Sequence, residues 1–172
     1  YDDALKGYTR ALAIREKALG PGHPFVADSL MGLGIVYNES HRYEAERNTY
    51  ERALEIIEKA KGRDHSDVGS LLNNLGNVYS GQGRNEAALA AYARALAIKE
   101  KVLGPEHPDV AKALNNLADV YNDEGNYEEA IKAHSRALAI REKSLGAEHP
   151  EVAQTLNNLG VVYKNQGQLG DA

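Results

Sequence analysis

The chain has 172 residues, of which 42% are hydrophobic and 26% are charged, and it carries a formal net charge of -5. This composition is typical of a globular protein, and no apolar run approaches the about 18 residues that a transmembrane helix needs. The absence of cysteine excludes disulfides, thiol nucleophiles and cysteine-ligated metals, and the acidic balance argues against a nucleic-acid-binding surface. We therefore expect no nucleic-acid and no membrane partner, and a cytoplasmic location, since a chain without cysteine suits a reducing compartment.

The sequence repeats itself at a constant step of 42 residues, and no insertion interrupts the register. The positions that recur include a tyrosine, a histidine and a leucine: Tyr37, Tyr79, Tyr121 and Tyr163; His23, His65, His107 and His149; Leu33, Leu75, Leu117 and Leu159. A period between about 20 and 50 residues indicates a repeat array, in which each copy packs on its neighbours. The period therefore predicts a single array over residues 1–172.

Each copy predicts two helices, which we label A and B. Val110, Leu114 and Leu117 are spaced as one face of an A helix. Gly104 followed by Pro105 predicts the end of the preceding B helix, because glycine suits the position after a helix and proline cannot continue it. In chain order we predict about eight helices: a lone B helix in residues 1–23, full pairs in 24–65, 66–107 and 108–149, and in 150–172 an A helix with the start of a truncated B helix.

The first full copy departs from the others at two positions. His41 stands where the later copies have a turn glycine, and Glu46 stands where they have Ala88 and Ala130. A small residue at this point lets the two helices of a pair approach closely. We therefore expect looser packing of the helix pair around Glu46.

Three motifs recur in the copies. They are Leu-Asn-Asn-Leu at 72–75, 114–117 and 156–159, Ala-Leu-Ala-Ile-Arg/Lys-Glu-Lys at 95–101 and 137–143, and Leu-Gly-x-x-His-Pro at 103–108 and 145–150. With these motifs the chain resembles the tetratricopeptide repeat, in the 42-residue form of the kinesin-light-chain class. The resemblance implies an all-α, right-handed α-solenoid of helix-turn-helix repeats whose A helices line a concave groove. It also implies a non-enzymatic scaffold that binds a peptide or partner segment in that groove.

The positions that face the groove in such repeats form one polar stripe along each A helix. An asparagine offers both a donor and an acceptor, so a ladder of asparagines can pair with the backbone of an extended peptide. We predict these peptide-binding residues: Asn73, Asn77, Asn115, Asp119, Asn122, Asn157, Lys112 and Lys164. The alternative is that the asparagines tie neighbouring helices together, which we favour for the second of each pair, Asn74, Asn116 and Asn158.

No catalytic, cofactor or metal site is predicted. The acidic pair Glu128 and Glu129 lies in a helix first turn, and Gly81-Gln82-Gly83 lacks the lysine and hydroxyl residue of a phosphate loop. The recurring histidines lie one to a copy, on the order of 10 Å apart, which is too far to share a zinc ion. We expect each of them to bond loop backbone at the start of an A helix.

A second function stays open beside peptide binding. The predicted ends are a B helix without its A partner and an A helix without its B partner, and these two faces complement each other. The chain would then be an assembly element that stacks head to tail with further repeats or with its own copies. The same ends are also expected if the chain is a piece of a longer array.

Overall fold

The structure is a computed structural model that describes residues 1–167. It contains eight helices: α1 (Asp2–Leu19), α2 (Pro24–Glu39), α3 (Tyr43–Lys61), α4 (Ser66–Gly81), α5 (Asn85–Leu103), α6 (Pro108–Asp123), α7 (Tyr127–Leu145) and α8 (Pro150–Gln166). Turns join the helices, and residues 1–167 contain no strand. The prediction of an all-α chain with alternating B and A helices is confirmed. The predicted start of a truncated B helix, at 169–172, lies outside the described residues.

The chain divides into two compact units, Tyr1–Gly83 and Arg84–Ala172. Unit 1 holds α1 to α4 and unit 2 holds α5 to α8, so each contains two B helices and two A helices. In unit 1, α2 packs between α1 and α3, and α3 packs on α4. In unit 2, α6 packs between α5 and α7, and α7 packs on α8.

A histidine side chain caps every A helix. The Nδ1 atoms of His23, His65, His107 and His149 each accept a hydrogen bond from the backbone N–H two residues later, at 3.1 to 3.2 Å. These caps satisfy donors that have no partner within the helix. The prediction that the recurring histidines lie at the starts of the A helices is confirmed, but their side chains bond the backbone of the first helical turn and not that of the loop. Among residues 1–167, no group of three or more histidine, cysteine, aspartate or glutamate side chains could hold a metal ion.

A glycine follows every B helix. Gly20, Gly62, Gly104 and Gly146 have φ angles of 87 to 90° and donate to the glutamate carbonyl four residues earlier at 3.0 Å. An L side chain rarely adopts these angles, which is why glycine recurs at this step. His41 adopts a φ of 57° at the A–B turn, where Gly83 and Gly125 serve in the other copies. In the part of the chain that the structure describes, no helix is both long and apolar enough to cross a membrane.

One close helix approach in unit 1 joins α2 to α3. A Cβ atom added to Gly34 would lie 2.4 Å from Cε1 of Tyr50, well inside van der Waals contact. Tyr50 is only 4% exposed, so its ring fills the space that a side chain at position 34 would need. The two helices can therefore pack at this distance only because residue 34 has no side chain.

Glu46 lies on α3, one turn before Tyr50, and it is only 3% exposed. Its Oε1 accepts a hydrogen bond from Nδ2 of Asn38 at 3.0 Å, whereas Oε2 is buried without a hydrogen-bond partner among the described residues. Burial raises the pKa of this carboxyl group, and the Asn38 bond offsets part of that rise. The side chain of Glu46 is almost completely buried, and a cavity lies beside it, so the expectation of looser packing at this point stays a prediction.

The core of unit 2 is made of small and aliphatic side chains from α6 and α7. The buried residues are Val110, Ala111, Leu114, Ala118, Ala133, Ala137 and Ile140, with Leu96 of α5 packed against them. Alanine at Ala88 and Ala130 is fully buried, as expected for a small residue at a close helix crossing. The apolar face predicted from the spacing of Val110 and Leu114 is therefore the buried face.

We predict that Gly34→Ala lowers the free energy of unfolding by about 1–3 kcal/mol, because the added methyl group overpacks the Tyr50 ring. Gly7→Ala in α1 is the matched control, since a Cβ there meets no atom within 4 Å. Helix propensity predicts that this control gains up to about 1 kcal/mol. Chemical denaturation of both variants measures the difference. Equal stability of Gly34→Ala and the parent would contradict the close approach.

We predict that two buried tyrosines lower the free energy of unfolding at alkaline pH. Burial raises the pKa of Tyr50 and of Tyr92 to about 12, helped by the charges of Glu46 and Asp119 respectively. The pKa of each tyrosine is higher in the folded state than its value of about 10 in the unfolded state. The two protonated hydroxyl groups therefore contribute fully to the free energy of unfolding below pH 10, and this contribution is lost as the pH rises toward 12. Absorbance at 295 nm and denaturant unfolding from pH 9 to 11.5 will measure both effects. Tyr50→Phe with Tyr92→Phe should flatten the decline, whereas Tyr1→Phe, at an exposed position, should not.

Candidate functional site

The predicted peptide-binding residues divide between the two units. Asn73 and Asn77 lie on α4 of unit 1. The others lie on the A helices of unit 2: Lys112, Asn115, Asp119 and Asn122 on α6, and Asn157 and Lys164 on α8. The predicted peptide-binding residues therefore form two separate groups, one in each unit.

In unit 2 the structure places α6 and α8 side by side. Nδ2 of Asn165 donates to Oδ1 of Asn122 at 2.9 Å, and Nδ2 of Asn158 donates to Oδ1 of Asp119 at 3.4 Å. Asn158 thus ties neighbouring helices together, which is the role that we favoured for the second asparagine of each pair. Because these bonds join the two helices, the exposed side chains of both belong to one surface.

Most of the predicted residues of unit 2 reach that surface. The side chains of Lys112, Asp119, Asn157 and Lys164 are exposed, and that of Asn122 is half-buried. Val161 lies one turn before Lys164 and is 51% exposed, so an apolar side chain interrupts the polar stripe. We name this set of six residues the α6–α8 surface.

Asn115 does not lie on the α6–α8 surface, although the sequence predicted it there. It is only 8% exposed, and its Oδ1 lies 2.9 Å from Nδ1 of His134. An amide oxygen only accepts, so Nδ1 of this histidine carries the proton. Nδ2 of Asn115 faces Oγ1 of Thr155 at 3.5 Å. The Asn115 amide is thus occupied inside unit 2, and its role is to position neighbouring helices.

The contacts of Asn115 are part of a longer chain of polar side chains. His134 is 1% exposed at the position that Tyr92 occupies in the preceding copy, and its Nε2 lies 3.4 Å from Oδ1 of Asp119. At the other end, Arg141 donates to Thr155 and to the backbone carbonyl of Glu151. This chain connects α6, α7 and α8 and ends beside the carboxylate of Asp119 at the edge of the α6–α8 surface. Sequence reasoning missed it, and the signal was the unrepeated histidine on a buried face.

In unit 1 the predicted residue Asn77 lines a polar cavity. The cavity has a volume of about 210 Å³ and is lined by Ile35, Asn38, Glu39, Glu46, Tyr50, Asn74 and Asn77. We name it the Glu46 pocket. Asn73, the other predicted residue of this unit, is half-buried and does not line it. Sequence reasoning identified Glu46 as an exception to the repeat but did not connect it with a site.

A larger cavity, of about 360 Å³, lies at the A–B turn of unit 2. Gly125, Asn126, Tyr127, Glu128, Glu129 and Gln166 line it. None of the predicted residues contributes to this cavity. This cavity therefore does not support the predicted peptide-binding residues. The α6–α8 surface lies outside it, on an open face of the two helices.

Solved structures with a similar fold include a putative kinesin light chain. BtubC (BKLC) from P. vanneervenii is 30% identical, with a TM-score of 0.86 over 96% of this chain and 66% of that chain. A putative kinesin light chain with nearly identical TPR-like repeats, from Podospora anserina, is 25% identical, with a TM-score of 0.85 over 97% of this chain and 79% of that chain. MamA, at 18% identity and a TM-score of 0.71, shares the fold. No curated protein sequence matches the chain.

The family model that matches the sequence is described as a tetratricopeptide repeat. Its matches overlap at residues 1–59, 47–101, 67–123 and 109–172, so together they cover the chain from end to end. Proteins built from this repeat are generally scaffolds for protein–protein interaction, and such scaffolds are typically not enzymes. The chain belongs to the tetratricopeptide repeat family.

Proposed function

We propose that the chain binds a peptide or an extended segment of a partner protein on the exposed faces of its A helices. The observation that carries this proposal is the adjacency of α6 and α8, which joins their exposed side chains into the α6–α8 surface. Repeat arrays typically present extended surfaces of this kind to their partners. An enzyme activity has no comparable support among the described residues.

The chemistry of the α6–α8 surface suits recognition of a peptide backbone. Asn122 and Asn157 each offer an amide donor and an amide acceptor, and both groups match those of an extended chain. The surface carries two positive charges, on Lys112 and Lys164, and one negative charge, on Asp119. It therefore does not select strongly for either acidic or basic peptides. Val161 supplies an apolar contact that can fix the register of a bound side chain.

An unbiased peptide library displayed on phage, selected against the folded chain, will test this proposal. We expect enriched peptides, and we expect Lys112→Ala with Asn157→Ala to weaken their binding tenfold or more, equivalent to about 1.4 kcal/mol. Both residues are exposed, so their truncation leaves the interior of unit 2 intact. Fluorescence anisotropy of labelled peptides gives the dissociation constants.

The matched control is Lys132→Ala with Ser135→Ala, which removes exposed side chains from the B helix α7. This control should bind the peptides as the parent does. If no peptide is enriched, or if the two double variants bind equally well, peptide binding on the α6–α8 surface is wrong. The helical circular dichroism signal of both variants should equal that of the parent.

The alternative function is head-to-tail assembly with further repeats or with other copies of the chain. One observation favours it, since none of the described residues of α1 is fully buried, and Tyr8 and Ile14 expose apolar surface. Sedimentation velocity over a hundredfold range of concentration separates the two functions. Assembly predicts species that grow with concentration, and Ile14→Asp should suppress that growth. Peptide binding predicts one species throughout.

A further inference from the structure

We propose that the Glu46 pocket receives a cationic side chain, the guanidinium of arginine or the ammonium of lysine, from the segment that the chain binds. This inference rests on the proposed function and specifies one chemical feature of the partner. It concerns unit 1 alone, and every residue that lines the pocket belongs to that unit.

The first observation is the buried carboxyl group itself. Glu46 is 97% removed from solvent, and of its two oxygens only Oε1 has a partner, Nδ2 of Asn38 at 3.0 Å. Oε2 is buried with no hydrogen-bond partner among the described residues. A carboxylate without sufficient partners is destabilising in a protein interior, and a cation that donates hydrogen bonds is the group that best satisfies it.

The second observation is that the described groups that line the pocket around Glu46 carry negative charge and no positive charge. Glu39 adds a second carboxyl group to the lining, and the other polar lining groups are amides and the Tyr50 hydroxyl. Glu39 is also the last residue of α2, whose final turn holds no basic residue. The carboxyl end of a helix carries a partial negative charge, so α2 adds to the negative potential at Asn38 and Glu39.

The third observation is that the site is particular to one copy of the repeat. The positions equivalent to Glu46 hold Ala88 and Ala130, which are fully buried and carry no charge. The positions equivalent to Asn38 hold Ser80 and Asn122, and the oxygen of Asn122 accepts from Asn165 instead of facing a carboxyl group. The pocket therefore does not follow from the repeat pattern, and replacing Glu46 by alanine restores that pattern.

The dimensions allow a cationic head group to enter. The cavity volume of about 210 Å³ equals that of several water molecules at about 30 Å³ each. The side chain of Asn38 is exposed, so it can turn away from Glu46 and give its place to an incoming donor. Burial raises the pKa of Glu46, and a cation seated beside the carboxyl group would lower it again.

The experiment is a titration of the full chain with methylguanidinium chloride and, separately, methylammonium chloride. Carbon-13 labelling of glutamate side chains allows the pKa of Glu46 to be followed by NMR, with Glu46→Gln identifying its signal. We expect either cation to lower this pKa by about one unit, as an opposite charge at contact distance does. Potassium chloride at equal ionic strength should not.

Exposed Glu55 of α3 is the internal control for general screening by salt. If Glu46 responds no more than Glu55, or responds equally to potassium chloride, the proposal is overturned. Glu46→Ala should fold, because two other copies carry alanine there, and should melt at a higher temperature than the parent, since it removes an unsatisfied buried group. A variant that melts at a lower temperature would contradict this account of the carboxyl group.

A second experiment, with peptides, tests this inference independently of the proposed function. Selected peptides are resynthesised with arginine replaced by citrulline and lysine by norleucine, which keeps size and removes charge. We expect at least a tenfold loss of affinity, and the loss should disappear in Glu46→Ala and Glu46→Gln. Peptides that bind without any basic residue, and bind both variants equally well, uphold the proposed function and overturn the cation site. If methylguanidinium lowers the Glu46 pKa while no peptide binds, the cation site stands and peptide binding fails.

Discussion

Within each unit, helices pack against helices that are neighbours in sequence, and the rest of the structure depends on this constraint. α2 packs on α1 and α3, and α6 packs on α5 and α7. A single amphipathic helix cannot bury its apolar face alone, so it packs against the helices next to it in the array. The repeated step of 42 residues is the consequence, because each new helix must present the same face at the same spacing.

The same constraint limits what can change without disturbing the fold. Gly34 must stay small because the ring of Tyr50 fills the adjacent space. Where polar residues enter the buried layer, their partners enter as well. Arg15 donates to Ser29 between α1 and α2, and Arg141 donates to Thr155 between α7 and α8. These two arginine–hydroxyl pairs occupy equivalent positions of the repeat, three steps of 42 residues apart. The hydrogen bond within each pair compensates for the burial of its polar groups.

Glu46 is only partly satisfied and, because its carboxyl group lines a cavity, it is the most informative residue for function. One of its oxygens is satisfied by Asn38 and the other has no described partner. His134 is the contrasting case, since Asn115 and Asp119 face its two ring nitrogens at 2.9 and 3.4 Å. Both residues break the repeat, but of the two only Glu46 leaves a carboxyl oxygen without a described partner at a residue that lines a cavity. A partner that supplies a positive charge would satisfy it.

The sequence was sufficient to predict the helices, their order and their ends. These features are local, because a histidine cap or a glycine with positive φ acts within two to four residues of its position. The buried face of α6 was also predictable, since the spacing of Val110 and Leu114 alone defines it. The exposure of individual polar residues was not, as Asn115 shows on the same helix.

The sequence by itself therefore determined the family, the alternation of A and B helices and the stripe on which a partner is expected. Only the tertiary structure decided which residues of that stripe are available. Asn115 bonds His134, 19 residues away, and Thr155, 40 residues away, so its burial depends on which side chains α7 and α8 bring to it. The Glu46 pocket likewise requires α2, α3 and α4 together. A periodic pattern specifies the direction of a side chain, whereas its partners depend on the residues that other helices place opposite it.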